Sequence, residues 1–337
     1  MNAQALICDE KRRFAIEEVR LKDPAPDQVA IRTVYSGVSI GTEFALIRNK
    51  ISWGPYPLCT GYQGTGIVES VGADVKDLKA GDRVYFRGND YMELAKGRKV
   101  SCVAGTHCSR IVRKAGGSHG VAQLPPGAGM DVAALFVMPA VGLAGVDLSN
   151  PRMGDKVLVY GAGLIGLGVI AACAHRGCEV IAVDINRRQL DLARRMGADH
   201  LIDGSTHDVE KELKKIAPHG ADVVFECTGI PPCLDAAIKL CRTEGSFVWQ
   251  GNYGEAPVPI RFLPAHVRRL RMFFPCDDGG VPCRRAVIRN MATGALKWDE
   301  CITHRIDCHE APELFARIDQ EQEKDIVGVI VRWSDDT

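Results

Sequence analysis

Six residues, Gly161-Ala162-Gly163-Leu164-Ile165-Gly166, have the types and spacing to hold a dinucleotide. A lone GxGxxG means little, because tight strand–helix turns use the same glycines. Here the flanks decide. KVLVY (156–160) reads as a short buried strand, and LIGLGVIAACAHRG (164–177) as a helix closed by Gly177. EVIAV (179–183) is a second strand, and it ends on Asp184. A strand, a glycine turn, a helix, a strand and then an acid form the dinucleotide fingerprint. Gly161 makes the tight turn, Gly163 lets backbone approach a pyrophosphate, and Gly166 lets the helix pack on the sheet. Leu164 and Ile165 open the helix, whose free N–H groups and dipole suit phosphate. A carboxylate at 184 accepts hydrogen bonds from a ribose 2′-OH and repels a 2′-phosphate, so NAD(H) is the expected cofactor. Arg187 and Arg188 follow. Arg188 stays among the cofactor candidates, although both arginines are expected to face solvent.

Around this motif the chain organises itself in two styles. Residues 1–125 read mostly as strands closely punctuated by Gly and Pro: QALIC (4–8), QVAIRTVYSGVS (28–39), TGIVESVG (65–72), DRVYF (82–86) and SRIVRK (109–114). Residues 127–147 are Ala- and Val-rich and predict a helix. From about 152, strands and helices alternate. Helix 187–196, strand 200–203, helix 208–216, strand 222–229, helix 233–242, strand 246–252 and a last strand near 269–274 follow the first βαβ. That alternation predicts a doubly wound parallel sheet. The tail predicts helices near 284–292 and 310–319 and a strand at 327–333.

Composition bounds the function. The 337 residues carry 46% hydrophobic and 25% charged residues at zero formal net charge. No basic block offers a nucleic-acid footprint. Thirteen cysteines are odd in number, scattered and without a CxxC pair, which suits reduced thiols in a cytoplasm. The start, MNAQALICDEKRRF, lacks the apolar core of a signal peptide. The apolar run 157–174 has the length of a membrane span, but its glycines make it a buried βα unit.

The segments SGVSIGTE (36–43), GYQGTGIVESVG (61–72), GDRV (81–84), ALFVMPAVGLAGV (134–146), GAGLIG and ECTG (226–229) are ordered and spaced as in the medium-chain dehydrogenase/reductase superfamily, which the whole chain resembles. The resemblance implies an α/β protein: a GroES-like β-barrel catalytic domain (1–147), a Rossmann NAD-binding domain (148–284) and a C-terminal return to the catalytic domain (285–337). It also implies a small-molecule substrate, no nucleic-acid or membrane partner, and a homodimer joined through the edge of the Rossmann sheet, with RLRMFF (269–274) as the segment concerned.

Zinc-type members of that superfamily take a catalytic metal from a GxCGTD-like loop, a GHE motif and a Cys or Glu before the Rossmann domain. Matched residue by residue, the Cys position falls on Ile40, the His on Tyr62 and the Glu on Gln63. The Glu–Pro pair of polyol-type members becomes Met138–Pro139. Zinc takes thiolate, imidazole or carboxylate, so no catalytic zinc is expected. The stretch matching the structural zinc lobe (88–112) offers Cys102, His107 and Cys108. A loop with free thiols is expected there, and metal binding by the trio stays open. Lys96, Lys99, Asp90 and Tyr91 lie in the same stretch and are expected to be solvated.

Without zinc, a protein group must take the alcohol proton. The resemblance then points to Tyr62 as a proton relay, aided if a nearby cation lowers its pKa, and to Thr42 as a hydroxyl relay. Glu43 would orient Tyr62 or a substrate hydroxyl, or cap the following helix, and Gln63 would donate to a substrate oxygen. Cys227, Thr228 and Gly229 are expected near the adenosine ribose, and Gly251, Asn252 and Tyr253 near the nicotinamide. Oxidation of a secondary alcohol in a sugar, cyclitol or polyol is the favoured activity. SGVSIGTE with GYQ also resembles a branch that includes bacteriochlorophyllide-type dehydrogenases, which act on a secondary hydroxyl. Two alternatives stay open: a metal-free enone or quinone reductase, and a protein that binds NAD for sensing or structure.

Overall fold

The computed structural model of the chain describes residues 1–323 and 325–335. The chain divides into two compact units, Met1–Phe136 with Ile288–Thr337, and Val137–Val287. Among the described residues no helix is long and apolar enough to cross a membrane. The apolar run at 157–174 is instead the strand Lys156–Tyr160, a glycine turn and the helix Leu164–His175.

In Val137–Val287, six strands form one parallel sheet. Its spatial order is His200–Asp203, Glu179–Asp184, Lys156–Tyr160, Ala221–Glu226, Cys241–Trp249, Arg271–Phe273. Numbered along the chain this is 3-2-1-4-5-6, and the order reverses between Lys156–Tyr160 and Ala221–Glu226. Ligands of open parallel sheets bind outside the carboxyl ends of the strands at that reversal. The sheet residues are near-continuous apolar runs because helices cover both faces. Val157, Leu158, Val159, Val180, Ile181, Ala182, Val224, Phe225, Phe247 and Val248 are all fully buried.

The other unit is built on two antiparallel-rich sheets. In one, Asn2–Cys8 pairs with Phe14–Arg20 over seven residues. The other is centred on the eleven-residue strand Gln28–Val38, which pairs with Gly64–Val71, Arg110–Lys114 and the C-terminal strand Gly328–Arg332. Ala3, Ala5, Val29, Ile31, Val84, Phe86 and Ile111 from both sheets share one apolar core. The tail adds Ile302–Asp307, parallel to Gly328–Arg332.

The helix expected across 127–147 is two helices, Met130–Ala133 and Val137–Ser149, separated by a turn at 134–136. The strand expected at 246–252 begins at Cys241 and ends at Trp249. Its polar start includes Glu244 at a left-handed φ of 59°, which hid it from a hydrophobic-run reading.

Candidate functional site

The glycine turn is built as its sequence requires. Gly161 sits at φ 98°, and its N–H reaches the Val183 carbonyl at 2.8 Å. A Cβ on Gly161 would lie 2.8 Å from Thr228 Cγ2 and 3.1 Å from the Thr228 nitrogen, so the two switch-point loops touch. A Cβ on Gly166 would drive into the Gly161 carbonyl, whereas one on Gly163 would meet nothing within 4 Å. The first glycine turns, the last permits packing, and the middle one leaves room. Gly163 caps Leu164–His175, and Leu164 and Ile165 are half-buried in its first turn.

Asp184 ends its strand half-buried, with both oxygens directed by the backbone. Oδ2 accepts from the Ala162 N–H at 2.7 Å and Oδ1 from the Asn186 N–H at 2.9 Å. The acid is therefore tied to the glycine turn it serves. Arg187 and Arg188 are exposed, and the Arg188 N–H is spent on the Asn186 side chain that caps the helix.

Across the reversal point, Cys227, Thr228 and Gly229 leave the strand Ala221–Glu226 half-buried. Their shape comes from Glu226, a fully buried carboxylate that the sequence reading did not single out. It accepts from the Thr228 N–H (3.0 Å), the Thr228 hydroxyl, the Gly229 N–H (3.3 Å) and the Tyr253 phenol. Burial and that bond push the Tyr253 pKa far up. The Glu226 carbonyl takes the Gly251 N–H at 2.8 Å, and a Cβ on Gly251 would overlap Gly229. Gly251, Asn252 and Tyr253 are thus joined to 227–229 through one carboxylate. The signal was a lone acid ending an apolar strand, the same signal that marked Asp184.

In the other unit, Tyr62 is half-buried, and the Ser39 and Thr42 hydroxyls lie near its phenol. The Arg87 guanidinium stands 5.4 Å from the ring centroid, and its Nε donates to the Tyr62 carbonyl at 3.2 Å. A cation is present as anticipated, yet the net effect is opposite. Burial pushes the phenol up to about 12, with Glu43 adding to the rise, and the nearby Ser39 and Thr42 hydroxyls and Arg87 only offset part of it. Tyr62 is held as a proton donor.

Thr42 lies beside Tyr62, and Glu43 and Gln63 are held by protein groups. Both are fully buried. Glu43 takes the Ser39 N–H (2.7 Å), the Thr60 hydroxyl (2.8 Å) and His107 Nε2 (2.8 Å). These contacts make it a holder of protein groups, with no face toward a substrate. The Gln63 backbone is fixed by the Thr106 hydroxyl at 3.3 Å and the Gly37 N–H at 3.1 Å. Cys102, His107 and Cys108 do not gather as ligands among the described residues. His107 spends both ring nitrogens, on Glu43 and on Ser36 at 2.8 Å. Burial pushes the Cys102 and Cys108 thiols up to about 12, so both are neutral. Lys96, Lys99 and Asp90 are exposed and Tyr91 half-buried.

Two family models match this chain: the alcohol dehydrogenase GroES-like domain over residues 25–143 and the zinc-binding dehydrogenase over residues 165–287. The D-xylulose reductase of Saccharomyces cerevisiae is 29% identical over 278 residues, 77% of each chain. An Escherichia coli oxidoreductase/dehydrogenase of unknown specificity superposes with a TM-score of 0.86 at 21% identity, covering 99% of this chain and 100% of that one. A Sinorhizobium meliloti protein solved with bound NADP gives 0.83 at 23% identity, covering 98% and 99%. With a dinucleotide turn on a 3-2-1-4-5-6 sheet and a GroES-like domain beside it in the chain, this protein belongs to the zinc-binding, alcohol dehydrogenase-type family of medium-chain oxidoreductases.

Proposed function

We propose that this family member works without zinc, using NAD(H) to exchange hydride with the secondary hydroxyl carbon of a small polyol, sugar or cyclitol. The observation that carries the proposal is Tyr62, which stands at the position matched to a zinc-binding histidine with the Ser39 and Thr42 hydroxyls near its phenol. The donor set does not fit the metal. Ile40 has no lone pair, Met138 offers a buried thioether, and Tyr62 and Gln63 are poor zinc ligands. The bound nicotinamide supplies the hydride chemistry. The chain supplies the proton path: as the alcohol is oxidised, Tyr62 takes the hydroxyl proton while giving its own, through Thr42 or Ser39, to solvent, and the reverse relay serves reduction. Likeness to D-xylulose reductase supports a polyol substrate. Asp184 supports NAD, and the NADP held by the Sinorhizobium meliloti protein is the rival outcome.

One observation favours a second reading. A phenol held protonated is suited to deliver a proton to an enolate, as an NADH-dependent enone or quinone reductase requires. We also assign the protein to a reducing cytoplasm, since all thirteen cysteines are free. A homodimer is supported by the open edge strand Arg271–Phe273, with Phe262, Leu263, Val267 and Phe274 exposed on the same unit.

The test is Tyr62→Phe in an NAD-coupled screen of polyols, sugars and enones, alongside metal analysis. Turnover should fall about 10²–10⁴-fold with NAD affinity unchanged, because general acid–base help is worth that much. Zinc should be far below one per chain, and chelators should leave the rate intact. Full activity of Tyr62→Phe, or stoichiometric zinc bound at Tyr62, ends the proposal. Activity on an enone alone installs the second reading.

A further inference from the structure

Glu43 and His107 are both fully buried, 64 residues apart in sequence, and touch no part of the proposed chemistry directly. Their hydrogen bonds form a directed chain. Trp333 Nε1 can only donate, and it gives its hydrogen to Ser36 Oγ at 2.8 Å. The Ser36 hydroxyl faces His107 Nδ1 at 2.8 Å. A carboxylate only accepts, so His107 Nε2 carries a hydrogen and donates it to Glu43 Oε2. The Thr60 hydroxyl donates to the same oxygen, and Oε1 takes the Ser39 peptide N–H.

Ser39 is where this chain meets Tyr62. It is the N-cap of the helix Ile40–Ile47, with extended backbone, yet its side chain makes no cap hydrogen bond. Forgoing that bond costs about 1 kcal/mol. The hydroxyl lies near the Tyr62 phenol, while Glu43 holds the Ser39 backbone and the Thr60 hydroxyl two residues before Tyr62. His107 also supports Tyr62 from the other side. Gly61, immediately before Tyr62, adopts φ 88°, and a Cβ there would lie 2.9 Å from His107 Cδ2 and Nε2. The imidazole is thus a floor under the backbone that presents the phenol. A peptide N–H does not relay protons, so the link through Ser39 transmits geometry and no proton.

We propose that His107 and Glu43 are a positioning pair that fixes the Tyr62 phenol, His107 acting through Glu43 and Ser39 and through contact with Gly61. This rests on the chemical role given to Tyr62 above, and the two can fail separately.

The test uses Glu43→Gln, His107→Gln and the double variant in the full chain. The double variant replaces a buried charge and its partner by two amides, and so keeps a folded species if either single change leaves a costly unpaired group. Three quantities are read: turnover, NADH affinity, and the Tyr62 Cζ resonance in tyrosine-labelled protein at neutral pH. The protein has seven tyrosines, and Tyr62→Phe identifies the signal. Turnover should fall about 10–100-fold, as when an outer hydrogen-bond partner of a site is lost. The resonance should move, NADH affinity should hold, and the double variant should be no worse than the worse single. Unmoved resonance and turnover in a folded variant, while Tyr62→Phe is inactive, overturn the positioning role and leave the chemistry standing. If Tyr62→Phe is fully active, the chemical reading falls, and the resonance alone decides whether the pair holds the phenol.

Discussion

The same substitution at two glycines three residues apart should separate architecture from ligand binding. Gly166 lies in the first turn of Leu164–His175, where alanine would favour the helix by about 1 kcal/mol. Its Cβ, however, falls inside contact distance of the Gly161 carbonyl by about 1 Å or more. Helix and turn must part, at an overpacking cost of roughly 1–3 kcal/mol. For a domain of this size each kcal/mol is worth about 2–4 °C, so Gly166→Ala should melt several degrees lower. Gly163 has φ −66° and ψ 179°, open to alanine, and a Cβ there meets nothing within 4 Å. Alanine is a poorer N-cap than glycine by roughly 0.5–1 kcal/mol, and the stiffer unfolded chain returns about 0.4–1 kcal/mol. The melting temperature should therefore stay put. The methyl instead fills the space a pyrophosphate must enter, so NADH binding, read by fluorescence titration, should weaken about 10–100-fold, or ~1.4–2.8 kcal/mol. Gly163→Ala binding NADH as tightly as the parent would refute the placement of the phosphates over this turn.

If Asp184 meets the ribose diol as proposed, Asp184→Ala removes that carboxylate, and the proposed preference for NAD over NADP should shrink by about 2–4 kcal/mol. Parallel titrations with both cofactors check this, and a parent that binds NADP equally well contradicts it. At alkaline pH the sign follows from Tyr62, whose folded-state pKa lies above the ordinary 10. Its stabilising effect is complete below pH 10 and disappears as pH rises toward about 12. Urea midpoints should fall across that window, by up to ~2 kcal/mol more in the parent than in Tyr62→Phe. Equal slopes in the two proteins would show that the phenol is not held in its protonated form.

Much of the Rossmann half was legible because its constraints are local. A glycine turn between a strand and a helix, and an acid at the end of the next strand, are set by residues a few positions apart. The alternation of strands and helices then admits few sheet orders. The other half was less legible. Phe14–Arg20 carries exposed Glu17, Glu18 and Arg20, so no apolar run announces it. Ile302–Asp307 becomes a strand by pairing with Gly328–Arg332, a partner more than twenty residues further along the chain. The break at 134–136 has no Gly or Pro to mark it.

The site divides along the same line. Asp184 and Tyr62 stand at positions a motif can name, and Thr42 was found beside Tyr62 for that reason. Glu226 was named as part of a motif without a role, because a buried carboxylate shows its purpose only when its four donors are present. His107 was set beside Cys102 and Cys108 because those residue types in one loop suggest a metal. Burial decides otherwise. A thiol with a pKa of about 12 is a neutral core group, whereas an imidazole enclosed with a carboxylate must pair with it or be expelled. That pairing joins the loop carrying His107 to the helix carrying Glu43 and the turn carrying Tyr62. Its partners lie 64 residues apart, so the bond that holds the proposed proton donor is a property of the fold and of no local pattern.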